Sequence, residues 1–165
     1  MSEVTIRLAR EAELAAVGRL TIDAYRASGF IEGESPYAQK LADARPRAHE
    51  AELWVAVDET DTVLGTVTMA PPSSPWAQVA GPNDLEFRML AVSARARGRG
   101  VGEALTRAVL DRAAELGLSG VVLSSSTEMT TAHRIYERLG FHRTPDKDWR
   151  PSPDTQLVTY RLDLR

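Results

Sequence analysis

The chain has 165 residues, no cysteine and a net charge of -3, with 43% hydrophobic and 26% charged residues. That balance is ordinary for a soluble globular protein and long enough for one domain, residues 1–165, with a real core. The missing cysteines exclude disulfides, thiolate metal sites and a cysteine nucleophile, and the scattered basic residues give no sign of a nucleic-acid partner.

Met1 to Arg7 shows no apolar run behind a basic start, and no later run approaches the roughly 18 apolar residues of a membrane span. The expectation is a soluble cytoplasmic protein without a membrane partner. Val4 to Leu8 alternates as a first strand. From Glu11, the spacing of Leu14, Val17, Leu20, Ile22 and Tyr25 predicts a helix ending near Gly29. A polar loop follows over Ser28 to Pro36, then a second helix over Tyr37 to His49. Leu53 to Val57 and Val63 to Met69 read as a hairpin around the acidic turn Asp58 to Asp61. Proline and glycine mark a loop at Pro71 to Asn83, and Leu85 to Val92 is a fourth strand.

Val101 to Leu116 carries the apolar spacing of one buried helical face, closed by Gly117. Gly120 to Ser124 reads as a buried strand, and Ala132, Ile135, Tyr136 and Leu139 as another helical face closed by Gly140. Phe141 starts a short extended piece. A polar loop over Thr144 to Pro153 precedes a last alternating strand, Val158 to Leu164. The hairpin demands antiparallel pairing and the 85–124 unit a right-handed parallel crossover. The expected class is therefore α/β (α+β), with a mixed sheet flanked by helices.

The segment Arg97-Gly98-Arg99-Gly100-Val101-Gly102 is the most informative stretch. Its glycines permit a tight turn, and a helix opening there aims unpaired N–H groups at a ligand. With two arginines beside it, the turn suits phosphate. A P-loop fails, because Gly102 is followed by Glu103 and Ala104 rather than Lys and Ser/Thr. A dinucleotide fingerprint begun at Gly98 is weak, because its last glycine falls on Glu103. The remaining pattern, R-x-x-G-x-G, is met by Arg97, Gly100 and Gly102.

With Glu86 to Val92 ahead of it and Ala132 to Phe141 (A-x-x-x-Y-x-x-x-G-F) behind it, the chain resembles the GNAT N-acetyltransferase superfamily. The resemblance implies a GNAT-like fold, with a mostly antiparallel sheet of about six to seven strands and about four helices. It also implies acetyl-CoA as donor cosubstrate. The backbone of Leu90, Ala91 and Val92 would hold the pantetheine, and Arg97, Gly98, Arg99, Gly100, Val101 and Gly102 the pyrophosphate. The reaction implied is direct acetyl transfer to a primary amine of a small molecule or protein, in a ternary complex. A non-catalytic acyl-CoA sensor is the alternative.

The resemblance assigns Tyr136 as acid for the leaving thiolate, although its place on an apolar face also makes it a packing residue. Glu86 is the candidate base, against the reading of a solvated carboxylate at a strand edge. His133, flanked by charge, is expected on the solvated side of its helix. No metal is expected, because no His/Asp/Glu cluster has ligand spacing. Many relatives carry Asn three residues before the signature alanine, where this chain has Met129; Thr130 and Thr131 are the candidate replacements. For the acceptor, Glu32 and Glu34 suit a cationic amine, with Tyr25, Tyr37, Trp54 or Trp149 as apolar walls. Dimers are common among relatives, so a homodimer is an expectation.

Overall fold

The computed structural model describes residues 4–29, 31 and 33–164. Strand β1 (Thr5–Leu8) leads through a 3₁₀ turn to helix α1 (Leu14–Ala27), whose buried face is Leu14, Val17, Leu20, Thr21, Ile22 and Tyr25. The single helix expected over Tyr37 to His49 is instead two, α2 (Pro36–Ala42) and α3 (Arg45–Glu50). Pro46 is the cause. A proline lacks the N–H that would continue a helix and fits only its first turn, so α3 must start afresh there. Ser35 caps α2 by accepting the Ala38 N–H.

Strands β2 (Glu52–Val57) and β3 (Val63–Ala70) form the expected hairpin. Asp58 closes its turn by accepting the backbone N–H groups of Thr60 and Thr62. Then come β4 (Asp84–Val92), α4 (Val101–Glu115), β5 (Gly120–Ser126) and α5 (Thr130–Leu139). The stretch expected as one polar loop contains a short strand. After β6 (His142–Arg143), β7 (Trp149–Ser152) pairs with the long last strand β8 (Thr155–Asp163). Among the described residues the sheet order is β1-β2-β3-β4-β5-β8-β6, eight strands with β7 beside β8, antiparallel everywhere except β4 against β5. Five α-helices among the described residues flank it, one more than expected because of the Pro46 break. No helix among the described residues is long and apolar enough to cross a membrane.

The parallel pair is what positions the site. β4 and β5 are in register only at Asp84↔Gly120, Leu85↔Val121 and Glu86↔Val122. Beyond that they part, β4 continuing beside β3 and β5 beside β8 as far as Ser126. The closed end is clamped. Arg161 on β8 reaches across Gly120 to Asp84 (Nη1–Oδ1 3.0 Å), and Asp84 Oδ2 accepts the Gly81 N–H at 2.8 Å. Gly120 leaves room for this bridge, since a Cβ there would lie 2.4 Å from Arg161 Nη2 and 2.6 Å from Asp84 Oδ1.

Burial works against ionisation of Asp84, but Arg161 and the Gly81 amide outweigh it and hold its carboxyl below the usual range. Its stabilising effect is thus complete above about pH 5 and fades as pH falls through the depressed folded value. Asp84→Asn is expected to cost about 1–3 kcal/mol at pH 7 in urea unfolding. The gap to wild type should narrow as pH falls below about 4, the unfolded carboxylate range, and close only as pH passes through the depressed folded value.

Candidate functional site

The parting of β4 and β5 opens a cavity of about 730 Å³, within the range of small-molecule sites. Phe87 to Leu90 line one wall and Leu123 to Ser126 the other. Tyr25, Tyr37 and Lys40 close it from the α1–α2 side, and Trp149 from β7. Trp149 is fixed there because its indole N–H donates to Ser124 Oγ at 3.0 Å, tying β7 to β5. Tyr25, Tyr37 and Trp149 are thus walls, as expected. Trp54 is not: it lies outside the cavity lining, packs against the main core and donates to Glu52.

Tyr136 stands at the seam of the two walls. Its ring is edge-on to Phe87 (5.8 Å) and Tyr160 (5.8 Å) and tilted against Phe141 (5.8 Å). The residue is 4% exposed, lines the cavity, and has no protein hydrogen-bond partner for its hydroxyl among the described residues. A buried tyrosine normally has one. Burial pushes the phenol well above its usual range, so it is protonated at neutral pH.

β4 bends at the cavity. Thr66 pairs with Ala91 and Thr68 with Arg88, so Met89 and Leu90 stand opposite Val67 alone. This is a β-bulge, and Met89 takes φ +55° to make it. A bulge of this kind turns ladder groups away from the neighbouring strand, here beside the gap. Of the predicted backbone contacts, Leu90 lines the cavity, Ala91 is buried against α1 and α2, and Val92 borders a second hollow of about 380 Å³. Arg19, Arg95 and Arg97 border that hollow too, which leads from the end of β4 towards the glycine turn. Ser93 Oγ, next in the chain, is buried without a partner.

The turn itself has the expected form. Gly98 and Gly100 both take φ +77°, and Gly100 is the N-cap of α4 with no side chain capping the helix. Its first-turn amides therefore have no partner within the helix. Arg97, Gly98, Arg99 and Gly100 are exposed, Val101 packs into the core and Gly102 is half-buried. Glu103 does not oppose an anion here, because Arg107 and Arg138 both pair with it.

Glu86 is not a solvated strand-edge residue. It is 0% exposed, and its Oε1 accepts the backbone N–H groups of Gln78 (2.7 Å), Val79 (2.8 Å) and Ala80 (3.1 Å). Its Oε2 is buried without a partner. Burial raises its carboxyl above the usual range, with the amides and Arg88 pulling the other way. Gln78 lines the cavity, so the carboxylate stands behind that wall.

His133 is also not where sequence placed it. It is half-buried, its ring tilted at 5.3 Å against Tyr160, and its Nε2 lies 3.0 Å from Ser125 Oγ in the cavity wall. The available signal was its spacing of three from Tyr136, which puts both on one helix face. Met129 lines the cavity, whereas Thr130 and Thr131 are exposed and outside its lining. Glu34 is exposed and pairs with Arg26 at 3.2 Å; Glu32 lies outside the described residues.

The acetyltransferase (GNAT) family model matches residues 14–141. The chain belongs to this family. It is 38% identical over 102 residues to N-acetyltransferase 8B of Rattus norvegicus, covering 59% of this chain and 44% of that protein. The chain spans less than half the length of the curated relatives it matches. Its fold is that of a GNAT acetyltransferase from Staphylococcus aureus Mu50, with TM-score 0.77 at 15% identity over 99% of this chain and all of that one. The yncA protein of Salmonella typhimurium, solved with its cofactor acetyl-CoA, superposes at TM-score 0.70 and 22% identity over 98% of this chain and 94% of that one.

A Cβ at Gly100 would meet nothing within 4 Å, so only its left-handed backbone resists substitution. Gly100→Ala is expected to cost about 1–2 kcal/mol in urea unfolding, and Gly100→Asn less.

Proposed function

We propose that the chain transfers an acetyl group from acetyl-CoA to an amine of a small molecule or protein, with donor and acceptor bound together. The observation that carries this is the β4–β5 gap, with an unpartnered Tyr136 hydroxyl in it and the uncapped N-terminus of α4 beyond the end of β4. Family membership and the acetyl-CoA held by the yncA protein support it.

Acetyl-CoA supplies an acetyl group already activated as a thioester. The α4 amides, with Arg97 and Arg99, hold the pyrophosphate, and the backbone of Leu90, Ala91 and Val92 accepts the pantetheine amides as a strand accepts a neighbour. The bulge aims backbone N–H at the acyl oxygen, where negative charge develops. The acceptor amine then forms its bond to the acyl carbon as the carbon–sulfur bond breaks. Its proton passes by water to Glu86 Oε2, which has no other partner. Tyr136 donates its proton to the departing sulfur, and solvent restores both groups. Glu86 must be ionised to act, so activity rises with pH through a value above the ordinary carboxylate range.

Release of free thiol from acetyl-CoA, followed across a panel of amines, tests the reading. Tyr136→Phe should keep acetyl-CoA binding and lower kcat by about 100-fold. Arg97→Ala should raise the KM for acetyl-CoA about three- to tenfold with less effect on kcat. Tight acetyl-CoA binding with no acceptor-dependent thiol release would show a sensor instead. The acidic limb of the kcat/KM profile should vanish in Glu86→Gln along with most of the rate.

A further inference from the structure

The acceptor end of the cavity has an unbalanced charge. Its described lining includes Arg88 and Lys40 but no aspartate or glutamate, in a chain that carries 23 acidic residues. Arg88 sits before the β4 bulge, on the far side of it from the 97–102 turn, and so beyond the stretch assigned to pantetheine. Its guanidinium lies over the Trp76 ring at 5.4 Å and donates through Nη1 to the Trp76 carbonyl at 3.2 Å, with the Tyr37 hydroxyl beside it. Among the described residues no carboxylate forms an ion pair with Arg88 or Lys40. The nearest acid along the strand, Glu86, has one oxygen committed to three amides and the other buried without a partner.

A second guanidinium adds to this field. Arg47 is 0% exposed and donates to the backbone carbonyls of Lys40, Leu41 and Asp43. Burial lowers its pKa to about 10, so it stays charged at neutral pH behind Tyr25 and Tyr37. A half-buried guanidinium keeps five donors in a fork that matches a carboxylate. Trp76 fixes the plane of that fork and leaves donors unused.

We infer that the acceptor is an anionic amine: a molecule carrying a carboxylate near its amino group, of the α-amino acid class, with the acid held by Arg88. The inference rests on the acetyl-transfer reading and names its substrate class. The same positive field disfavours the ammonium form of the acceptor, and so helps it reach the neutral state that attacks. The apolar walls Tyr25, Met89 and Trp149 suit an apolar side chain on the amino acid. A polyamine meets the cationic Arg88 and Lys40 with no acid in the described lining to answer them.

The test uses the full chain with acetyl-CoA and pairs of acceptors that differ only at the acid: L-leucine, L-phenylalanine and L-tryptophan against their carboxamides, with spermidine as the cationic probe. Wild type should favour each acid over its carboxamide by about 10- to 100-fold in kcat/KM, the worth of a charge-assisted contact. Arg88→Met should lower kcat/KM for the acids by a similar factor, leave the KM for acetyl-CoA unchanged in a protein that is still folded by circular dichroism, and bring the acid-to-carboxamide ratio near one. Arg88→Lys should restore part of the preference. Faster turnover of carboxamides or spermidine, or an equal loss for acid and carboxamide in Arg88→Met, overturns the inference while leaving acetyl transfer standing. If no amine releases thiol, acetyl transfer itself fails. Calorimetric binding of L-phenylalanine to the CoA-loaded protein then decides anion recognition alone: binding lost in Arg88→Met supports it, and no binding to wild type overturns it.

Discussion

The structure depends on one short parallel pairing, three residues long, that is clamped at one end and released at the other. Asp84, Gly120 and Arg161 hold β4, β5 and β8 together at the apex. Past Glu86 and Val122 the two strands follow different partners, β3 on one side and β8 on the other. Two strands in the middle of a sheet are thereby left with facing edges that do not satisfy each other. Unpaired edge groups favour an extended partner that carries its own amides. The gap is therefore a consequence of topology, and a ligand with an amide-bearing arm is the chemistry that completes the sheet.

The spacing of the second signature acquires a physical reason from the same frame. Gly140 takes φ +104° at the end of α5, and the Phe141 N–H returns to the Tyr136 carbonyl at 2.9 Å. The reversal drops Phe141 onto Phe87 and Tyr136, at 6.2 and 5.8 Å. One aromatic cluster thus fixes the angle of α5 and seals the phenol from bulk water. Packing does not compete with the proton donation proposed for Tyr136. The apolar surroundings that make it a core residue are what keep its proton in place at neutral pH.

Those features were legible because they are local. The hairpin, the glycine turn opening α4, and the α5 face with its closing glycine are each written in a few adjacent residues with fixed spacing. Glu86 was half legible. Its strand position could be read, but its burial depends on residues 78–80 folding back over it, and nothing in their composition encodes that path. His133 was obscured by its charged neighbour Arg134, although the three-residue interval to Tyr136 was there to be used. β7 was missed because Thr144 to Pro153, with three prolines and four charged residues, reads as loop, yet Trp149 needs only one hydrogen bond to Ser124 to fix it beside the gap. The Pro46 break was missed because apolar spacing runs across it.

That break connects the fold to the chemistry at the acceptor end. An unbroken helix over 37–49 would tie up the carbonyls of Lys40, Leu41 and Asp43 in its own ladder. Ending α2 at Ala42 leaves these carbonyls, the negative end of the helix dipole, as acceptors for the Arg47 guanidinium. A buried arginine with no carboxylate needs such a set, since an unpaired interior charge is strongly unfavourable. Neutral carbonyls engage both terminal nitrogens while Nε stays without a partner, so the positive charge is solvated by dipoles but not cancelled by an ion pair. The field persists at Tyr25 and Tyr37 and adds to that of Arg88 in the cavity. An aspartate or glutamate partner would have stabilised Arg47 equally well and erased the field. Dipolar pairing of one arginine and placement of the other without a carboxylate ion pair leave both ends of the site positive, in keeping with the proposed pyrophosphate and the proposed anionic acceptor.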